Sequence, residues 1–85
     1  MRKQELPPIP SKQVEKYLNK LGSKTRKRLL DAIEKIPEGD IKPYEGTEYS
    51  RLRKGRYRVL FRFISDNQIY VSYIGVRGDA YKKGV

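Results

Sequence analysis

Two hydrophobic periodicities follow one another along the chain, and the change falls near residue 43. Val14, Tyr17, Leu18 and Leu21 recur at the i, i+3, i+4, i+7 spacing of one helix face. Ser11 stands before them as an N-cap, and Gly22 sits where a glycine just past the helix end belongs. Ser23 can cap a second helix with apolar positions Leu29, Leu30, Ile33 and Ile36, and Ala32 beside them. Pro37 and Gly39 end it. Almost nothing separates the two segments, so they predict an antiparallel helical hairpin. Beyond Pro43 the period becomes two. Residues 48–53, 56–64 and 68–75 read as strands, separated by Lys54-Gly55 and by Ser65-Asp66-Asn67.

These strands predict an antiparallel meander. Tyr57, Val59, Phe61 and Phe63 share one face of its middle strand, and Arg58, Leu60 and Arg62 share the other. Only the helical hairpin is left to cover the aromatic–aliphatic face, so those four side chains read as core. The arginine face then points into solvent. The expected class is α+β: an N-terminal α-helical hairpin packed on a twisted antiparallel β-sheet of three to four strands. Pro7-Pro8-Ile9-Pro10 closes a proline-rich N-terminal arm, residues 1–10, in which helix and strand ladders are blocked. Residues 1–85 are expected to form a single domain with a modest core.

Composition removes several classes of chemistry. With no cysteine there is neither a disulfide nor a thiolate metal site. With no histidine the commonest general base, the commonest metal ligand and any Ser-His or Cys-His nucleophile are excluded. Catalysis, if present, uses Lys, Arg, Tyr, Asp or Glu, and no metal or other cofactor is expected. No apolar run approaches a membrane span, and the first residues lack a signal-peptide apolar segment. A cytoplasmic protein without a membrane partner is expected.

Charge supplies the positive argument. The chain carries 20 Lys and Arg against 10 Asp and Glu, a net charge of +10. Six of the cations fall within residues 51–62, where there is no acid. A rigid hairpin bearing that many guanidinium and ammonium groups fits phosphate, and nucleic acid leads the candidate partners ahead of an acidic protein. Arg51 and Arg53 share one face of the first strand, and Arg58 lies on the exposed face of the second. Arg77 follows the third strand, and Tyr81 comes four residues later. If the chain returns across the sheet, these groups line one concave site. Such a site suits RNA cleavage by the 2′-hydroxyl, because guanidinium groups stabilise the charge that builds on phosphorus. Arg is no ordinary base, so Lys or Tyr must handle protons. The bland readings are a solvated strand position for Arg62 and a solvated helix face for the run from Lys24 to Arg28, which also suits an auxiliary phosphate contact.

The sequences LNKL at 18–21, YSRLRKGRYRVLF at 49–61 and IGVRGDAYK at 74–82 together resemble the RelE/ParE superfamily of type II toxin–antitoxin toxins. The ordered pair L-R-x-G-x-Y-R-V and I-G-x-R-x-x-x-Y is the specific part, and the resemblance spans about residues 11–83. It implies a RelE-like mRNA interferase, a metal-independent endoribonuclease that cuts mRNA in the ribosomal A site and inhibits translation. By position it implies a catalytic set of Arg58 on the scissile phosphate, Arg77 at the leaving oxygen, Tyr81 near the base or the 2′-hydroxyl, and Lys54. Arg51, Arg53, Arg56, Lys82 and Lys83 are assigned to RNA binding. The implied partners are a cognate antitoxin, the ribosome with its mRNA, and operator DNA only through the toxin–antitoxin complex. Strand one departs from the family by offering arginines where RelE toxins carry lysines, so the base falls to Lys54, Tyr81 or the ribosome. The usual apolar N-terminal strand is also missing, and a short or absent edge strand is expected there. Two other readings stand beside this one: a ParE-like inhibitor of DNA gyrase, and a non-catalytic module binding RNA or an acidic partner.

Overall fold

Ser11 does begin the first helix. Its hydroxyl accepts from the Val14 N–H at 3.2 Å and donates to the Ser72 carbonyl at 2.9 Å, so one side chain caps the helix and ties it to the sheet. In the computed structural model, which describes residues 3–76, the elements run β1 (Ile9–Pro10), α1 (Lys12–Lys20), α2 (Ser23–Glu34), β2 (Asp40–Pro43), β3 (Ser50–Lys54), β4 (Tyr57–Ser65) and β5 (Gln68–Val76). The class is α+β, two helices on one face of a twisted sheet.

The sheet has five strands in the order β1-β5-β4-β3-β2, more than the three to four the sequence suggested. The meander of β3, β4 and β5 is as expected. The two added strands are its edges. β2 pairs antiparallel with β3, and its Asp-Ile-Lys-Pro sequence carries no run of β-formers that would announce it. β1 pairs parallel with β5 through only two residues, the short edge expected of a proline-rich arm. Past β1 the edge of β5 is covered by a side chain instead: the Gln13 amide donates to the Ile74 carbonyl at 2.8 Å and accepts from the Ile74 N–H at 3.1 Å.

Gly22 is not a left-handed helix terminator. It is extended (φ −62°, ψ 155°) and serves as N-cap of α2, which moves Ser23 into the first helical turn rather than the cap. The chain leaves α1 through an extended Leu21 and needs no positive φ there. The α2 stripe is also one residue narrower than the periodicity suggested. Leu29 and Ile33 in α2 and Ile36 just past its end are buried, whereas Leu30 is 38% exposed. At 3.6 residues per turn, Leu30 lies about 100° from Leu29, and the helix meets only one side of the sheet.

The core lies between Val14, Leu18, Leu29, Ile33 and Ile36 from the helical side and Leu52, Val59, Phe61, Ile69, Val71 and Ile74 from the sheet. Val59 and Phe61 are buried as read from the alternation; Tyr57 and Phe63 are half-buried against the same cluster. Gly55 opens the β3–β4 turn at φ +60°, followed by Arg56 at negative φ. This is the sign pattern of a type II′ turn, in which glycine takes the first place. That two-residue turn fixes the register Lys54 with Tyr57, Arg53 with Arg58, Leu52 with Val59 and Arg51 with Leu60.

A candidate phosphate-binding face

Register determines which cations meet. On the sheet face turned away from the helices, one cross-strand row runs Asp40, Arg53, Arg58, Gly75. The next runs Lys42, Arg51, Leu60, Tyr73, and beyond it Arg62 pairs with Tyr70. Arg51, Arg53 and Arg58 therefore share one surface, as the alternation of β3 and β4 suggests.

That surface is not the open, solvated plane the sequence suggested. Arg58 is only 5% exposed and Leu60 only 1%. Part of the reason lies on β5. Gly75 has no side chain, and the ring of Tyr73 leans along the strand into the space left free. A Cβ at position 75 would meet the Tyr73 ring at 2.8 Å and its hydroxyl at 2.9 Å. The phenol thus lies above the strand position paired with Arg58. A register shift explains why Tyr73 is there at all: between Leu60 and Phe61 the ladder skips Ser72, so Tyr73 and Val71 oppose consecutive β4 residues. Tyr73 and Tyr70 went unnoticed in the sequence because the shift breaks their alternation. The useful signal was the Tyr-x-Gly spacing of residues 73–75, a large ring two residues before a residue with no side chain.

Two nitrogens on this face are buried without a hydrogen-bond partner among the described residues: Nε of Arg58 and Nη1 of Arg51. Buried polar groups in folded proteins are nearly always satisfied, and an unsatisfied one costs roughly 1–3 kcal/mol, more when charged. Two such donors on neighbouring strands leave hydrogen-bonding capacity unused beneath this face, within reach of an anion once the covering side chains move aside. Arg53 differs, since its Nε donates to Asp40 Oδ2 at 2.7 Å. That hydrogen bond holds the Asp40 carboxyl below its ordinary value of 3.8, aided by the charges of Arg53, Arg51 and Lys42 and opposed by desolvation. A depressed folded-state value means that the pair stabilises the fold above the ordinary carboxylate range and loses that contribution as pH falls below 3.8. Both partners are exposed, so the effect on stability is small. The larger consequence is for ligands: Asp40→Asn releases Arg53 and should tighten phosphate binding by about two- to fivefold at neutral pH, measured by titration with an RNA dinucleotide analogue. An unchanged or weaker affinity would show that Arg53 does not reach the ligand.

The remaining candidates are placed elsewhere. Lys54 alternates with Arg53 and so lies on the helical side, where it lines a cleft with Arg28 and Arg56. Arg56 is in the turn, its guanidinium 5.8 Å from the Tyr57 ring centre. Arg62 does not stand free either; its guanidinium is 5.8 Å from the ring centre of Tyr70. Arg77, Tyr81, Lys82 and Lys83 lie outside the described residues. Among the described residues no cluster of three or more His, Cys, Asp or Glu side chains could hold a metal ion, and no helix is long and apolar enough to cross a membrane.

Two solved structures share this architecture over nearly the whole chain. The RelB–RelE antitoxin–toxin complex from Methanococcus jannaschii is matched at a TM-score of 0.70 and 25% identity, over 91% of this chain and 99% of that one. The archaeal RelE–RelB complex from Pyrococcus horikoshii OT3 is matched at 0.67 and 30% identity, over 94% and 100%. No protein-family model and no curated protein matches the chain by sequence. At that identity and coverage, with the Arg58 strand and its two helices in place, the chain belongs to the RelE family of toxins.

Proposed function

We propose that this protein is the toxin of a type II toxin–antitoxin pair and acts as a ribosome-dependent mRNA endoribonuclease. The observation that carries the reading is the pair of guanidinium nitrogens of Arg58 and Arg51 on one sheet face, buried and without a partner among the described residues. Such donors suit a phosphate whose charge grows during the reaction, because preorganised N–H groups in a water-poor site stabilise charge without reorganising. In the step itself the 2′-oxygen bonds to the adjacent phosphorus and the P–O5′ bond breaks. The 2′-proton passes to a base, and the departing 5′-oxygen takes up a proton. The products are a 2′,3′-cyclic phosphate and a 5′-hydroxyl. Arg58 and Arg51 bind the non-bridging oxygens. On the family resemblance the base is Lys54, Tyr81 or the ribosome, with Arg77 at the leaving oxygen. No metal ion takes part.

Residues 1–85 act as one domain, in the cytoplasm. The partners are the ribosome with its mRNA and a cognate antitoxin, which is also the route to operator DNA. The two matched structures are both toxin–antitoxin complexes, which supports the antitoxin in particular.

The test is controlled expression in bacteria, with primer extension on a translated reporter mRNA for wild type and Arg77→Ala. Cuts within codons that need active translation and disappear in the variant are the expected result. Growth arrest with intact mRNA and damaged DNA would replace this reading with gyrase inhibition. Absence of arrest would leave a binding module.

A further inference from the structure

Immediately behind the phosphate-binding face, across the tip of the β3–β4 hairpin, lies a second cationic site. It is a cleft of about 450 Å³ between α2 and the hairpin, with Arg28 on the helix, Lys54 at the end of β3 and Arg56 in the turn. Leu29, buried, and Tyr57, half-buried, give it an apolar wall, and Thr25 adds a hydroxyl. No carboxylate lines it among the described residues. The neighbouring cleft of about 470 Å³ shares Arg28 and Lys54 and is reached by Lys35 and Arg53, but also contains Asp31, Glu38 and Asp40. An anion entering that one meets both signs; in the hairpin cleft it meets only positive charge, with low-dielectric walls that strengthen the attraction.

Position decides what kind of anion. Arg53 and Lys54 are consecutive, yet by strand alternation one serves the outer face and the other the cleft. A polyanion with regularly spaced charges can occupy both by passing over Gly55, whereas a single small anion cannot. We propose that the cleft of Arg28, Lys54 and Arg56 is a second phosphate subsite for RNA, holding the backbone of nucleotides that flank the one bound at Arg58. The inference rests on the RNA reading of the outer face and adds a direction to it: the strand leaves the reaction site around the hairpin tip rather than along the sheet.

The measurement is equilibrium binding of fluorescent 2′-O-methyl RNA, which lacks the attacking hydroxyl, as a 3-mer and as a 12-mer across a salt series. It is made on wild type, on Arg28→Ala/Arg56→Ala and on Arg58→Ala, each checked for fold by circular dichroism. Wild type should bind the 12-mer more tightly. The cleft variant should lose about tenfold in affinity for the 12-mer and keep its affinity for the 3-mer. Its log–log salt slope should become shallower by about 1.4, two phosphate contacts at roughly 0.7 each. Arg58→Ala should weaken both lengths. If the cleft variant binds the 12-mer like wild type, or loses the 3-mer equally, the second subsite is wrong and the outer-face reading stands. If wild type binds neither RNA, both fall together.

Discussion

Arg58→Met is expected to raise the melting temperature and, in the same protein, to reduce RNA cleavage by about 10²–10³-fold. The two effects have one cause. Arg58 is buried, and its Nε has no partner among the described residues, so the folded chain carries an incompletely compensated charge in a poor solvent for it. Methionine has similar length and no polar atom, and replacing buried charge by well-packed apolar side chains is commonly neutral or stabilising. A gain of about 1 kcal/mol would shift the melting temperature of a domain this size by about 4–8 °C. Cleavage suffers because the same N–H groups are those held ready for the phosphate. Thermal melts and single-turnover cleavage on programmed ribosomes read the two sides separately. A variant that melts several degrees lower would show Arg58 to be structurally satisfied, and the phosphate assignment would lose its main support.

Ile33→Ala should destabilise the protein by about 2–5 kcal/mol, whereas Leu30→Ala, three residues earlier on the same helix, should stay within about 0.5 kcal/mol. Ile33 is 2% exposed and meets the sheet through the cluster that includes Leu52, Val59 and Ile74. Truncation there removes transfer energy and leaves a cavity that a small, close-packed core cannot refill. Against a total stability on the order of 5–15 kcal/mol, the loss is a large fraction of what holds the fold. Leu30 already faces solvent, and its removal leaves no hole. Urea unfolding of both variants decides it. Equal losses would mean that α2 buries a wider face that includes Leu30.

The contrast between Ile33 and Leu30 also shows where sequence reading works and where it stops. Periodicity locates α2 and its buried side to within one residue, because 3.6-residue spacing is a local property. The Ser11 cap and the Gly55 turn are local too, and each is found in the structure. What the sequence conceals depends on distant partners. β2 is a strand because β3 offers it an edge, not because Asp-Ile-Lys-Pro prefers one. Leu60 looked solvent-exposed by alternation, and only the pairing with Tyr73 and the register shift at Ser72 show otherwise. For the candidate site, the sharing of one face by Arg51, Arg53 and Arg58 was legible. The desolvation of Arg58 was not, since it depends on a ring from another strand leaning over a glycine. The opposite placement of Lys54 was legible in principle: it follows from counting one residue past Arg53.

That last count bears on how such a surface can change over time. Leu52, 2% exposed, stands between Arg51 and Arg53 and points the other way. If one residue were lost or gained before it, β3 would present Leu52 and Lys54 on the outer face and push two arginines into the apolar interior, a cost no small domain could bear. Side chains on this strand can therefore be exchanged one at a time, lysine for arginine included, but the frame in which they are read cannot slip. A leucine turned into the core thereby acts as the reading-frame guard of the arginines on either side of it.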